Sequence, residues 1–307
     1  MRKTSLDQVH ELARRDDRVV FVGSDLGVGT LAAMKAEMPE RFFMEGVAEQ
    51  HIIGMSAGLA LEGFIPYVNT ISTFLTRRCY EQVAVDLCLH RLPVRLIASG
   101  GGVVYAPLGP THQAIEDIAI MRALPNMTVV APSDAEEMRR LIPQTLDWPG
   151  PIYIRLGKGG DPIISRPELG FTIGKAIPLR EGKAVTFLST GVMSGYCLRA
   201  AEVLAAEGIE AGVLHFHTIK PLDRDAILAA AAGTGLLVSV EEHTVVGGLG
   251  SAVAETLVDA GRPVPRLLRL GFPDAFFRNY GSQDDLLRDA GLQPDQIAAA
   301  TRQALAD

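Results

Sequence analysis

Short, continuous apolar runs alternate with helix-patterned stretches from one end of the chain to the other, and this alternation constrains the fold most. Residues 18–24, 64–69, 94–99, 128–131 and 152–156 read as strands. Between them, residues 5–15, 49–61, 74–89, 114–123 and 135–146 read as helices. A strand that is apolar at every position must be covered on both faces. Intervening helices supply that cover, so the expected product is a mostly parallel sheet. A Gly- and Pro-rich stretch at 157–182 interrupts the pattern. A second alternation follows, with strands at 184–189, 211–216, 236–241 and 266–270. Its helices fall at 195–207, 223–232 and 251–260, with a last one from Pro294. The sequence therefore predicts an α/β protein of two doubly wound domains, residues 1–160 and 183–307, with a linker at 161–182.

Composition narrows the function. Hydrophobic residues make up 48% of the chain and charged residues 21%, a globular balance. With 29 basic against 36 acidic residues the net charge is −7, which argues against a nucleic-acid partner. Cys79, Cys88 and Cys197 show no metal-ligand spacing and read as buried thiols of a reducing compartment. His215 and His217 alternate on a strand and are expected to face a site or solvent rather than a metal. The first residues carry no apolar signal core and no run is long enough for a bilayer, so a cytoplasmic protein is expected.

Three segments carry candidate chemistry. In residues 41–58 an apolar strand end runs into Gly46, and a helix opens near Glu49. That helix is rich in small residues, Gly54, Ser56, Ala57 and Gly58, so it is expected to pack closely against a second chain. A carboxylate at its start would then sit in a dry interface, where the helix dipole favours its charge and burial opposes it. The plainer reading is an acid that only charges a helix end. In residues 69–89, Ser72 or Thr73 can cap a helix whose first turn carries Phe74. An aromatic ring at the C-terminal end of a parallel strand can stack on a flat ligand. Phe74 and Tyr80 can equally be core. In residues 99–117 a glycine run precedes Gly109-Pro110-Thr111-His112 at the start of a helix. The dipole there disfavours a protonated ring, leaving His112 neutral toward a substrate oxygen or hydrogen-bonded to backbone.

In this order and at these separations, Gly46-Val47-Ala48-Glu49-Gln50-His51, Ser72-Thr73-Phe74-Leu75 and Gly109-Pro110-Thr111-His112-Gln113 resemble the C-terminal half of transketolase. Asp25-Leu26, Glu241-Glu242-His243 and Gly247-Gly248-Leu249-Gly250 extend the likeness over the whole chain. It looks nearest to the C-terminal subunit of split transketolases, in which two genes encode the usual single chain. The resemblance implies a thiamine diphosphate whose pyrimidine ring sits on residues 1–160. It implies that Glu49 shares a proton with a pyrimidine nitrogen and so favours the imino form of the neighbouring amino group, which removes the thiazolium proton. Phe74 is implied to stack on that ring, Tyr80 to form a further wall, and Asp25 to lie near the cofactor. His112 is implied to touch substrate oxygens near the reacting carbon, and Arg155 to hold a sugar phosphate. A structural salt bridge is the other reading of Arg155. Glu49 and His112 are thus the expected catalytic residues.

The family's Gly-Asp-Gly motif, which holds the diphosphate and its Mg2+ or Ca2+, occurs nowhere; the nearest string is Gly160-Asp161-Pro162. The resemblance then implies that this chain holds no metal. It further implies that an N-terminal partner subunit supplies the metal, in an expected α2β2 heterotetramer that moves a two-carbon ketol unit between sugar phosphates or related ketoses and aldoses. Three positions depart from the sugar-transketolase pattern. Leu108 stands for an aspartate, Ser99-Gly100-Gly101 for a histidine, and Gly29 or Thr30 for a serine. These changes point to an unusual or less hydroxylated donor. A 1-deoxyxylulose-5-phosphate synthase, a 2-oxo acid dehydrogenase beta subunit and a degenerate binding half are the alternatives. Gly247 to Gly250 can cradle an anion or simply allow tight helix–strand packing, and His243 is a candidate to reach the active-site mouth.

Overall fold

The computed structural model describes residues 1–24, 29, 31–157, 159–261 and 263–307. The first half contributes strands β1 (Val19–Gly23), β2 (Phe42–Met44), β3 (Ile65–Ile71), β4 (Arg95–Ser99), β5 (Thr128–Val130) and β6 (Ile152–Arg155). Helices α1 (Arg2–Arg15), α2 (Ala32–Glu37), α3 (Glu49–Leu61), α4 (Ser72–Thr76), α5 (Tyr80–Gln82), α6 (Asp117–Ala123) and α7 (Ala135–Thr145) lie between them. The second half holds β7 (Ile177–Arg180), β8 (Val185–Ser189), β9 (Ala211–His215), β10 (Thr218–Lys220), β11 (Leu236–Thr244) and β12 (Arg266–Phe272). Its helices are α8 (Met193–Ala205), α9 (Arg224–Gly233), α10 (Leu249–Asp259), α11 (Gln283–Asp289) and α12 (Pro294–Ala306).

The first sheet runs β10-β5-β6-β4-β3-β1-β2, and only β10 is antiparallel to its neighbour. Side chains alternate across it as strand geometry requires. Phe21, Tyr67, Ile97 and Ile154 pack with Leu6 and Val9 of α1 and Met138 and Leu141 of α7. Val22, Val68, Ala98 and Tyr153 pack with Ile52 and Ile53 of α3 and Met121 of α6. Both faces are thus dry, which is why these strands read as unbroken apolar runs. The second sheet, β12-β11-β8-β9-β7, is parallel apart from β7 and is likewise covered on both faces. The architecture is two mostly parallel sheets flanked by helices, as the sequence predicts.

Two strands cross the expected boundaries. β7 lies inside the predicted linker but pairs with β9. It is a Pro-bearing edge strand in which only Ile177 is buried, so it lacks the apolar-run signal. β10 leaves the second half and joins the first sheet through β5, extended by the bond from Ala131 N to His217 O at 2.7 Å. The two domains are therefore laced together rather than merely linked.

The stretch expected as one helix over 74–89 is segmented. α4 gives way to a 3-10 turn at Arg77–Cys79, then α5, then a π-helical stretch at Val83–Leu89. Such irregular turns re-aim side chains, and here they direct Arg77 and Arg78 to different tasks. Among the described residues, no helix is long and apolar enough to cross a membrane. Cys79, Cys88 and Cys197 are free and buried, and burial pushes the Cys88 thiol up to about 11.

Candidate active site

Glu49 is the first residue of α3. The helix turns its Glu49, Ile52, Ile53, Ser56, Ala57 and Ala60 stripe inward, at the spacing of one helical face. The Glu49 carboxylate is thereby taken out of water by its own chain and is 1% exposed. Its donor is Arg78 Nη1, 2.7 Å from Oε2. Of the small residues on α3, Ser56 and Ala57 face this core, while Gly54 and Gly58 open outward with no atom within 4 Å of a Cβ built on either.

Phe74 sits in α4, just past the C-terminal end of β3. The Arg78 guanidinium lies over its ring, with Cζ 3.8 Å from the centroid. The His112 ring meets Phe74 edge-on, 5.2 Å between centroids. Glu49, Phe74 and His112, three residues far apart in sequence, therefore converge, with Arg78 between the first two. An open cleft of about 510 Å³ runs along Thr73, Phe74, Arg77, Arg78, Pro110 and Thr111, bordered by Phe276 from the second domain.

His112 does not begin a helix. It lies in a turn closed by its own N–H on Gly109 O at 3.0 Å, and α6 starts only at Asp117. The helix-dipole argument for its neutrality therefore falls. Arg77 fixes this loop instead. Its Nη2 donates to Pro110 O at 3.2 Å and Gln113 O at 3.1 Å, and its Nε pairs with Glu116 at 3.1 Å. Ser72 and Thr73 do not cap α4. Thr73 Oγ1 donates to Gln113 O at 2.9 Å, tying the same loop. Arg77 and Arg78 were not singled out from the sequence, although two adjacent arginines directly after Phe74-Leu75-Thr76 were the available signal.

Arg155, expected to hold a sugar phosphate or to form a structural salt bridge, sits in a buried ion pair with Asp117. It is 6% exposed, with Nε on Asp117 Oδ2 at 2.8 Å and Nη2 on Glu242 O at 2.8 Å. Burial opposes its charge, but Asp117 and Glu242 outweigh burial and hold the guanidinium above its ordinary range. Tyr153 OH donates to the same Asp117 oxygen at 2.7 Å. Glu242 reaches from β11 to the glycine run, accepting from Val103 N at 2.9 Å and Gln283 Nε2 at 2.8 Å. A Cβ on Gly102 would lie 2.4 Å from that carboxyl carbon, and one on Gly101 would lie 2.5 Å from Arg155 Cγ. The glycines thus admit the two side chains that hold the loop. Burial, opposed by Arg155, raises the Glu242 carboxyl to about 7.

The Tyr80 hydroxyl donates to Ile120 O at 2.8 Å and its ring packs against the core, away from the cleft lining. Asp25 and Thr30 lie outside the described residues. The glycines at 247–250 do cradle an anion, but the chain's own: Leu249 N and Gly250 N donate to Glu241 at 2.7 and 2.8 Å. His243 is buried, accepting from Ala119 N at 3.2 Å, and does not reach the cleft. His215 and His217 are buried between the domains. Ser194 Oγ, His215 and Glu137 form a relay at 2.6 and 2.9 Å, sealed from solvent. Burial opposes the Glu137 charge, but His215 holds the carboxyl down at about 2.

Fold and cleft together define a two-domain α/β protein that presents a buried carboxylate, a flat aromatic face and a histidine beside the C-terminal ends of parallel strands. Residues 1–160 match the family model for the transketolase pyrimidine-binding domain, and residues 174–297 match that for the transketolase C-terminal domain. The chain belongs to the transketolase family and corresponds to its C-terminal half. It is 41% identical over 304 residues to the 6-deoxy-6-sulfo-D-fructose transketolase subunit SqwH of Clostridium sp. (strain MSTE9), covering 99% of this chain and 94% of that one. It is 42% identical over 301 residues to the 1-deoxy-D-xylulose-5-phosphate synthase of Thermomicrobium roseum, covering 96% of this chain but only 47% of that enzyme. A solved split-gene transketolase, described as an inactive beta4 tetramer, superposes with a TM-score of 0.91 at 38% identity, over 99% of this chain and 98% of the other.

Proposed function

We propose that this chain is the pyrimidine-binding subunit of a two-chain, thiamine-diphosphate-dependent transketolase that transfers a two-carbon ketol unit. The convergence of Glu49, through Arg78, and of His112 on Phe74, which lines the cleft, carries this reading. The residues fit the cofactor: a buried carboxylate answers a ring nitrogen, and an aromatic face beside open space answers a flat ring. When bound, thiamine diphosphate supplies the electron sink for cleaving a carbon–carbon bond next to a carbonyl. Glu49 would hold a proton at the pyrimidine nitrogen, Phe74 would orient the ring, and His112 would bond a substrate oxygen. Arg77 keeps the His112 loop in place. The diphosphate and its Mg2+ or Ca2+ belong to the partner subunit, since Gly-Asp-Gly is absent here. The expected assembly is α2β2, and the near-equal length of the Clostridium subunit supports the split architecture.

Leu108 and the Ser99-Gly100 pair line one further cleft of about 700 Å³, together with Arg2, Lys3 and Tyr105. Small and apolar groups beside two cations favour an anionic ketose donor that offers few hydroxyls there. To test the function, this chain is mixed with a partner bearing Gly-Asp-Gly and offered a ketose phosphate, 6-deoxy-6-sulfo-D-fructose or pyruvate. Ketol transfer from a ketose is expected. Turnover of pyruvate alone would replace the transketolase reading with the synthase.

A further inference from the structure

We propose that Arg78 is a placeholder for the aminopyrimidine ring: its guanidinium occupies the ring's position between Glu49 and Phe74 and must swing out when the cofactor enters. The inference rests on the reading of Glu49 and Phe74 given above and adds a residue and a displacement step to it.

Two contacts carry it. Arg78 Nη1 donates to Glu49 Oε2 at 2.7 Å, and the guanidinium carbon lies 3.8 Å from the Phe74 ring centroid. An aminopyrimidine that shares a proton with a carboxylate is a planar N–C–N donor. A guanidinium is one too, always charged, and it stacks on aromatic faces in the same way. Both contacts that Phe74 and Glu49 would give the ring are therefore made already by a group of matching shape and charge. Atoms in contact sit about 3.5–4 Å apart, so a ring stacked on that face of Phe74 needs the space in which the guanidinium lies. The two occupants exclude each other.

A placeholder has a physical purpose. A buried carboxylate left without a partner costs several kcal/mol, and Glu49 is 1% exposed. Arg78 neutralises it, yet its own side chain is 39% exposed, so it is anchored on the solvent side and free to turn outward. Its neighbour shows the contrast. Arg77 is held by Thr73, Pro110, Gln113 and Glu116 together, an attachment suited to a staple rather than a gate.

The test compares wild-type chain, Arg78→Met and Arg78→Lys, each mixed with the partner subunit and Mg2+. Thiamine diphosphate binding is followed by calorimetry, and thermal unfolding is measured on the chain alone. Arg78→Met is expected to bind thiamine diphosphate about tenfold more tightly, the effect of removing one competing contact of this kind. The same variant should unfold at a lower temperature, because Glu49 loses its counter-charge. Arg78→Lys keeps the charge and should keep the stability, but without a flat cation on Phe74 it should yield to the cofactor more readily than wild type. Weaker or unchanged binding in both variants, with wild type binding normally, would overturn the placeholder and leave the thiamine reading standing. If no protein in the series binds, the thiamine reading fails and the placeholder fails with it.

Discussion

Glu49 and Arg155 are both buried charged side chains in the first domain, yet they do opposite work. Glu49 is paired with a half-exposed arginine beside an open cleft. Arg155 is paired with fully buried Asp117 and a backbone carbonyl and is itself 6% exposed. Removing one partner of a buried pair costs about 3–5 kcal/mol. Arg155→Met is therefore expected to lower the unfolding temperature sharply, while the KM for a phosphorylated donor in any protein that still folds stays at the wild-type value. A raised KM with unchanged stability would restore the phosphate role. The motif around Glu49 was legible because a strand end, a glycine and a helix start are local signals. The role of Arg155 was not, because Asp117 and Glu242 lie 38 and 87 residues away and only the fold brings them together.

The loop from Ser99 to His112 shows the same logic at the scale of an element. Its glycines are visible in the sequence, but what they admit is not: Arg155 on one side and Glu242 from the second domain on the other. Glu242 also makes the loop's anchorage sensitive to pH. The carboxyl titrates near the ordinary 4.5 in the unfolded chain and at about 7 in the fold. Between those values the native state binds the extra proton, so this group's contribution to stability falls as pH rises. Glu242→Gln keeps an acceptor for Val103 N and Gln283 and removes the titration. The variant should unfold with wild type near pH 4.5 and be more stable at pH 8, by on the order of 1–3 kcal/mol. A stability difference that does not change with pH would show that the carboxyl is not raised. The broken helix at 72–89 was equally illegible, since apolar spacing does not distinguish one continuous helix from α, 3-10 and π turns in series.

For the molecule as a whole, the alternation of strands and helices was enough to predict two doubly wound domains, because full burial of parallel strands leaves a strong sequence signal. The crossing of β10 into the first sheet and the addition of β7 to the second left none, both strands being short, edge-placed and partly polar. Of the small residues of α3 expected at an interface, Ser56 and Ala57 pack into this chain's own core, and Gly54 and Gly58 open outward. Residues 1–160 match the transketolase pyrimidine-binding domain, Gly-Asp-Gly does not occur in the sequence, and the proposed function divides the cofactor between two chains accordingly. A calorimetric titration of thiamine diphosphate, in Mg2+, into this chain, into its partner and into their mixture tests that division directly, with Glu49→Gln as the control mixture. Saturable binding by the wild-type mixture, little by either chain alone, and a clear loss of affinity in the Glu49→Gln mixture are predicted. Equal binding by this chain alone, or full affinity without the Glu49 carboxylate, would contradict it.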